Sequence, residues 1–442
     1  MNSEVRISAT LFAMLFGLGV HAAPQEPLNS MARKEKPAVV ETLKTLVNIE
    51  SGSRDKAGLD KLAALLAERL AALGGTVEFY EPNAADTYKL YDTPKDIGKV
   101  VIARFQGTGT KKIMLLAHMD TVYPSGVLAK RPFHIEGNRA YGPGIADDKG
   151  GIAVLLHSLA LMKELNFREY GTLTVVINGD EEISSPGSRK VIEKIGSEHE
   201  FVFSCEPTSV KGDGIALATS GIGAASLVVH GKSAHSGVNP ELGRNAIIEM
   251  SNQLLQTNDL SVADKGIKFN WTLTTGGITR NIIPELATAS ADVRVRRVAD
   301  LEVVDKAFRQ RIAANKKLVP DTRVEATFER RRAPLEVTDA SRAVARKAQA
   351  IYAELGRTLL VDESGSGGGT DAAFAAQSGK PATVESFGLA GYGYHSPEEE
   401  YVDLDTVEPR LYLLTRLVSC TFFSICPFSQ PAAGLQNSAL KR

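Results

Sequence analysis

The chain has 442 residues, with 51 lysines and arginines against 52 aspartates and glutamates, a formal net charge of −1. Hydrophobic residues at 43% and charged residues at 23% describe a folded globular protein rather than a disordered one. Without a basic excess a broad electrostatic grip on nucleic acid is excluded, and three cysteines with no C-x-x-C pair exclude a cysteine-based zinc module.

At the N-terminus Arg6 precedes an apolar stretch from Ile7 to Val20, and Val20-His21-Ala22 ends it in a small-x-small pattern. This predicts a signal peptide over 1–22, cut after Ala22, and export to a bacterial periplasm. About 14 apolar residues fall short of the roughly 20 that a membrane anchor needs. No later segment is apolar enough to cross, so no membrane contact is expected after cleavage.

Helical spacing runs from Ala38 to Leu73, with an Ala/Leu-rich helix around Lys61–Leu73. Short extended pieces follow at Thr76–Tyr80 and Lys99–Phe105. Apolar runs at Ile113–Ala117, Leu173–Ile177 and Phe201–Phe203 read as strands buried on both faces. Helices predicted at Gly150–Leu165 and Ser188–Ile195 separate them, which argues for an α/β domain with a mostly parallel sheet over 23–219.

From Ser220 the order changes to β-α-β-β-α-β: strand Gly223–Val229, helix Pro240–Thr257, strands Lys268–Thr275 and Leu286–Arg296, helix Ala299–Ala314, strand Arg323–Glu329. That is the order of a ferredoxin-like α+β sandwich, here over 220–331. Strand–helix alternation then returns over 332–419, with helices at Ser341–Leu355, from Asp371, and at Val407–Ser419. The second domain is therefore expected as an insertion, joined by the two crossings a hinge would have. The tail over 420–442 fits neither domain; a Cys420–Cys426 bridge and two unpaired thiols are equally open.

Each buried strand runs into acids or imidazole: the first into His118-Met119-Asp120, the second into Asp180-Glu181-Glu182, the third into Glu206-Pro207-Thr208. The glycine-rich stretch Gly142–Gly150 carries Asp147, and His395 arrives from the far end of the chain. Ligands of open α/β sheets bind beyond the carboxyl ends of the strands. So many acids at one edge repel one another unless a cation offsets them. His118, Asp147, Glu182, Glu206 and His395 are five candidate ligands, too many for one catalytic zinc with an open position. Two ions bridged by Asp147 resolve this, with His118 and Glu206 on one and Glu182 and His395 on the other. Zinc suits these donors, with manganese or cobalt as substitutes. Glu181 remains free as general base and acid. A non-catalytic two-lobed binding protein would have no use for such a base.

His118-x-Asp120, Gly144-x-x-Asp147-x-Lys149-Gly150, Asp180-Glu181-Glu182, Glu206-Pro207-Thr208, Gly367-Gly368-Gly369-Thr370-Asp371 and the late His395 resemble the di-zinc M20 metallopeptidases, and within them the glutamate carboxypeptidases of the carboxypeptidase G type. The likeness extends from about Pro37 to Val418. It implies hydrolysis of an amide between an acyl or aryl-acyl group and a C-terminal amino acid in an N-acyl amino acid or peptide. Aminoacylase, dipeptidase and desuccinylase chemistry stay open as alternatives.

By position, the resemblance implies that Asp120 orients His118, that the Asp147–Asp148 peptide is cis, and that the inserted domain is a lid and dimerisation domain. His235, in Gly231–Gly237, would serve the partner subunit's oxyanion in a homodimer. Asn281 and Arg294 would hold the substrate carboxylate, Gly369 and Thr370 would donate hydrogen bonds, and Arg330 is a further candidate. Where relatives carry a Lys and a Ser that select an acidic side chain, this chain has Gly214 and Ala216, with Lys211 nearby. A neutral or apolar C-terminal residue is therefore an alternative to glutamate.

Overall fold

The computed structural model describes residues 23–209, 212–365 and 367–420. The expected signal peptide, Lys211 and the Cys420–Cys426 pair lie outside what it describes.

A six-stranded sheet forms the main body, ordered Thr76–Tyr80, Val100–Gln106, Thr172–Asn178, Lys112–His118, Phe201–Ser204 and Ala382–Val384. Its last four strands are mutually parallel, and the first two pair antiparallel. The apolar run Ile113–Ala117 occupies the middle because both its faces are covered. Ile113, Leu115 and Ala117 face one core, with Leu155 and Leu411 of helices Gly151–Glu164 and Val407–Cys420. Met114 and Leu116 face the other, with Ile192 and Ile195 of helix Arg189–Ser197. Alternate side chains of one strand thus serve two layers.

Between Gly221 and Arg332 the chain builds a separate antiparallel sheet, ordered Lys268–Gly276, Leu286–Val295, Gly221–His230 and Arg323–Arg332. Strict alternation of buried and half-buried residues along Gly221–His230 marks one packed face and one open face. Helices Ala246–Thr257 and Val298–Ala314 cover the packed face through a core of their own that includes Leu227, Met250 and Phe308. This is the βαββαβ sandwich expected from the element order.

The helix expected at Pro240–Thr257 begins at Ala246, where Asn245 Oδ1 accepts the Ile247 and Ile248 N–H groups, and Pro240–Leu242 is a separate 3₁₀ turn. A favoured N-cap residue thus outweighs the proline as the start signal. A further five-stranded sheet of two- and three-residue strands, including Ala390–Tyr392 and Tyr401–Asp403, holds the His395 loop. Strands that short leave no periodicity to read.

Candidate metal centre

The parallel strands end at one edge, and that edge collects the expected residues. His118 closes its strand, Glu181 and Glu182 sit in the 3₁₀ turn after Thr172–Asn178, and Glu206 follows Phe201–Ser204. Asp147 precedes helix Gly151–Glu164, and its peptide bond to Asp148 is cis, as the resemblance implied. His395 Nε2 lies 3.5 Å from Asp147 Oδ2 and 3.2 Å from Glu182 Oε2. His118 Nε2 lies 2.9 Å from Asp147 Oδ1 and 3.5 Å from Glu206 Oε1. Asp147 therefore offers one carboxylate oxygen to each imidazole. Ligand atoms of Asp147, Glu182 and His395 fall within 4.8 Å of one another, as do those of His118, Glu181 and Glu206.

Glu181 falls within the reach of that second group, yet its surroundings differ. Arg332 Nη2 donates to the Glu181 carbonyl at 2.8 Å and sits 2.9 Å from its Oε1, close in charge but without hydrogen-bond alignment. Arg332 Nη1 donates to Asp371 Oδ1 at 2.7 Å. A buried guanidinium thus competes for Glu181.

Asp120 is fully buried. Its main-chain oxygen is 3.1 Å and its Oδ1 3.3 Å from His118 Nδ1, so the far ring nitrogen of His118 is the one turned to Asp147. The same carboxylate accepts the Glu181 N–H at 3.0 Å, the Glu182 N–H at 3.1 Å and the Ser53 hydroxyl at 2.7 Å. It is more than a strand-end cap, because it fixes elements from both sides of the edge.

The electrostatics are those of crowded acids. Burial pushes the Glu206 carboxyl up to about 8 and that of Glu182 up to about 7, with the nearby Asp147 charge adding to the second. Burial also raises Glu181 well above the usual range. Asp147 is half-buried, and although desolvation works to raise its carboxyl, hydrogen bonds from His118 and His395 outweigh that and hold it low. Hydrogen bonds to Asp147 and Glu182 push His395 up to about 10. Each shift expresses a demand for positive charge at this edge.

Residues 114–419 match the model of peptidase family M20/M25/M40. The chain is 42% identical over 412 residues to Carboxypeptidase G2 of Pseudomonas sp. (strain RS-16), covering 93% of this chain and 96% of that one. The chain belongs to peptidase family M20/M25/M40. It is also 29% identical over 348 residues to a succinyl-diaminopimelate desuccinylase of Gluconobacter oxydans, covering 74% of this chain and 87% of that relative. The fold is similar to that of an M20 family metallo-carboxypeptidase, Sso-CP2, from Sulfolobus solfataricus, with a TM-score of 0.69 at 18% identity, covering 87% of this chain and 98% of that one.

Within this M20 chain, Gly369 and Thr370 line a cavity of about 440 Å³ together with Asp147, Glu181, Glu206 and His395. A Cβ on Gly369 would lie 2.6 Å from the Ser220 carbonyl oxygen, which requires glycine there. The Thr370 hydroxyl is already committed, donating to Glu385 Oε2 at 2.6 Å.

His235, Asn281 and Arg294 do not join the metal ligands within one chain. Strand pairing sets His235 opposite Ile282, and the Ser236 N–H donates to the Asn281 carbonyl at 3.1 Å, so His235 and Asn281 share one exposed edge of the inserted layer. The Gly237 N–H donates to His235 Nδ1 at 3.1 Å. Arg294 is half-buried, and its Nε donates to Asp292 Oδ2 at 2.9 Å.

Arg332, not Arg330, is the arginine at the M20 centre. A bulge puts Arg332 opposite Ile222 and Arg330 opposite the next residue, Gly223, so the usual i, i+2 equivalence fails and the two point differently. Arg330 is half exposed, 3.9 Å from Asp305. Sequence reasoning also missed Glu400, whose carboxylate accepts the N–H groups of Gly144 at 2.9 Å, Ala146 at 3.0 Å and Asp147 at 3.2 Å and so holds the Asp147 loop. In sequence it lies in Glu398-Glu399-Glu400, which reads as a solvated turn.

Proposed function

We propose that this M20 enzyme hydrolyses the amide bond between an acyl or aryl-acyl group and a C-terminal amino acid, using two divalent cations, zinc first and manganese or cobalt as substitutes. The observation that carries this is Asp147, whose two carboxylate oxygens face His118 at 2.9 Å and His395 at 3.5 Å. The donor set fits such ions: two imidazoles and three carboxylates, with further acids that are costly to bury uncompensated. His118, Asp147 and Glu206 would hold one ion, and Asp147, Glu182 and His395 the other. Cations at these donors polarise a carbonyl and lower the pKa of water.

The chain's own residues do the rest. Glu181 takes a proton from the attacking water and passes it to the leaving amine, and its raised affinity for protons suits both halves of that task. Arg332 positions Glu181 by donating to its main-chain carbonyl, with its charge 2.9 Å from the carboxylate. Asn281 and Arg294 bind the substrate carboxylate, Arg294 through its planar fork, once the inserted domain over 220–331 closes on the catalytic parts over 23–219 and 332–419. The partner subunit's His235 donates to the developing oxyanion in a homodimer. The edge strand Lys268–Gly276 supports this pairing, with Leu273 69% exposed on it and Leu255 76% exposed on the adjacent helix. The N-terminal pattern supports export to the periplasm with cleavage after Ala22.

The test is metal analysis of the purified protein together with a panel of N-acyl amino acids, folate-like compounds, dipeptides and N-succinyl diamines. Two equivalents of metal and chelator-sensitive release of a C-terminal amino acid are expected. Turnover confined to dipeptides or succinyl compounds would move the enzyme to the dipeptidase or desuccinylase alternative. A metal-free protein that still turns over any of them would defeat the reading.

A further inference from the structure

The cavity beside the metal ligands has a second wall, made by Ala216, Ala218, Thr219, Asp362 and Glu385. Among the described residues no lysine or arginine lines it. Strand Gly214–Ala216 pairs in parallel with Leu360–Asp362, and the register sets Ala216 beside Asp362. Glu385 is buried and committed, one oxygen to the Thr370 hydroxyl at 2.6 Å and the other to the Ser386 N–H at 2.9 Å. Asp362 is exposed, accepts the Ser364 N–H at 2.7 Å, and enters no ion pair among the described residues.

Which part of a substrate enters this cavity follows from Glu181. A group that protonates the leaving amine must stand on the leaving side of the scissile bond. Glu181 lines this cavity, whereas the cavity of about 500 Å³ on the other side of Glu182, walled by Ser53, Tyr123 and Ile183, does not include it. The released amino acid therefore lies against Ala216 and Asp362, and the acyl group on the Tyr123 side. Among the described residues, a glutamate side chain there would face a carboxylate with no cation to receive it. A cationic side chain would find an unpaired one.

We propose that this cavity receives the side chain of the released amino acid and that Asp362 selects a cationic one, as in lysine, arginine or another diamino acid, over glutamate. The proposal rests on the hydrolase reading above and adds the substrate class.

The metal-loaded protein is assayed with N-acetyl and N-benzoyl derivatives of lysine, arginine, leucine and glutamate. The lysyl and arginyl compounds should exceed the glutamyl ones in kcat/KM by about tenfold or more, what one partly exposed ion pair and one avoided repulsion supply. Asp362→Asn should cut the lysyl-to-leucyl ratio severalfold, and Asp362→Lys should reverse the order of lysyl and glutamyl compounds. Because each ratio is taken within one variant, partial loss of folded protein does not alter it. A wild-type preference for glutamyl compounds, or ratios that Asp362→Asn leaves unmoved, overturns the proposal. The same compounds are titrated calorimetrically into metal-loaded Glu181→Ala. If the wild type hydrolyses neither these nor any folate-like, dipeptide or succinyl compound, the hydrolase reading fails on its own; tighter lysyl than glutamyl binding still upholds the pocket, and equal or no binding sinks it too.

Discussion

Arg332 holds Glu181 from two directions, donating to its main-chain carbonyl at 2.8 Å and standing 2.9 Å from its carboxylate, with both residues buried. The other end of the guanidinium is tied to Asp371 at 2.7 Å. Removing Arg332 leaves two buried acids uncompensated, so Arg332→Ala should cost about 3–5 kcal/mol of folding free energy. Urea unfolding measures this, and a loss below about 1 kcal/mol would mean the pair is solvated.

Glu181 should be separable from metal binding. In Glu181→Ala the five ligand side chains remain, so metal content should stay at two equivalents while kcat falls about 10²–10⁴-fold. Atomic emission analysis and steady-state kinetics on one preparation decide it. Loss of metal together with turnover would make Glu181 a ligand instead.

The bridging position of Asp147 gives a stoichiometric prediction. Asp147→Ala removes a donor from both halves and should leave little metal after dialysis. His395→Ala removes a donor from one half alone and should leave about one equivalent. Equal losses from the two variants would contradict a shared carboxylate.

Metal uptake should release protons. Burial holds Glu206 near 8 and Glu182 near 7, and His395 is held near 10 by its two carboxylate partners, so all three carry protons at pH 6. Donors must give these up before binding a cation. Apparent affinity should therefore rise from pH 6 to pH 8, with at least about one proton released per cation at pH 6.5. An indicator dye in weak buffer reads this directly, and a pH-independent affinity would refute it.

His199 supplies a pH effect away from the metals. It is buried, with Nδ1 2.6 Å from the Ile195 carbonyl oxygen and Nε2 2.8 Å from Thr174 Oγ1, and burial lowers its pKa. The unfolded chain then binds the proton more readily than the folded one, so this contribution is complete above about pH 6.5 and lost as pH falls. The difference in unfolding free energy between wild type and His199→Gln should narrow from pH 7 to pH 5. A constant gap would show that His199 titrates alike in both states.

Much of this was legible in the linear chain because its causes are local. Ile113–Ala117 announces a strand covered on both faces, and the β-α-β-β-α-β order of 220–331 leaves few ways to pair four strands. Parallel strands end at one edge, so His118, Glu182 and Glu206 had to share it.

Other features depend on distances that no spacing records. A bulge beside Ile222 decides that Arg332 reaches Glu181 and Arg330 does not. Glu400 meets the Gly144–Asp147 backbone across more than 250 residues of chain, and Asp362 comes to lie by Ala216 through pairing of two three-residue strands. Side-chain period and burial are written in neighbouring residues; which oxygen faces which nitrogen is set by long-range packing, and only the folded chain fixes it.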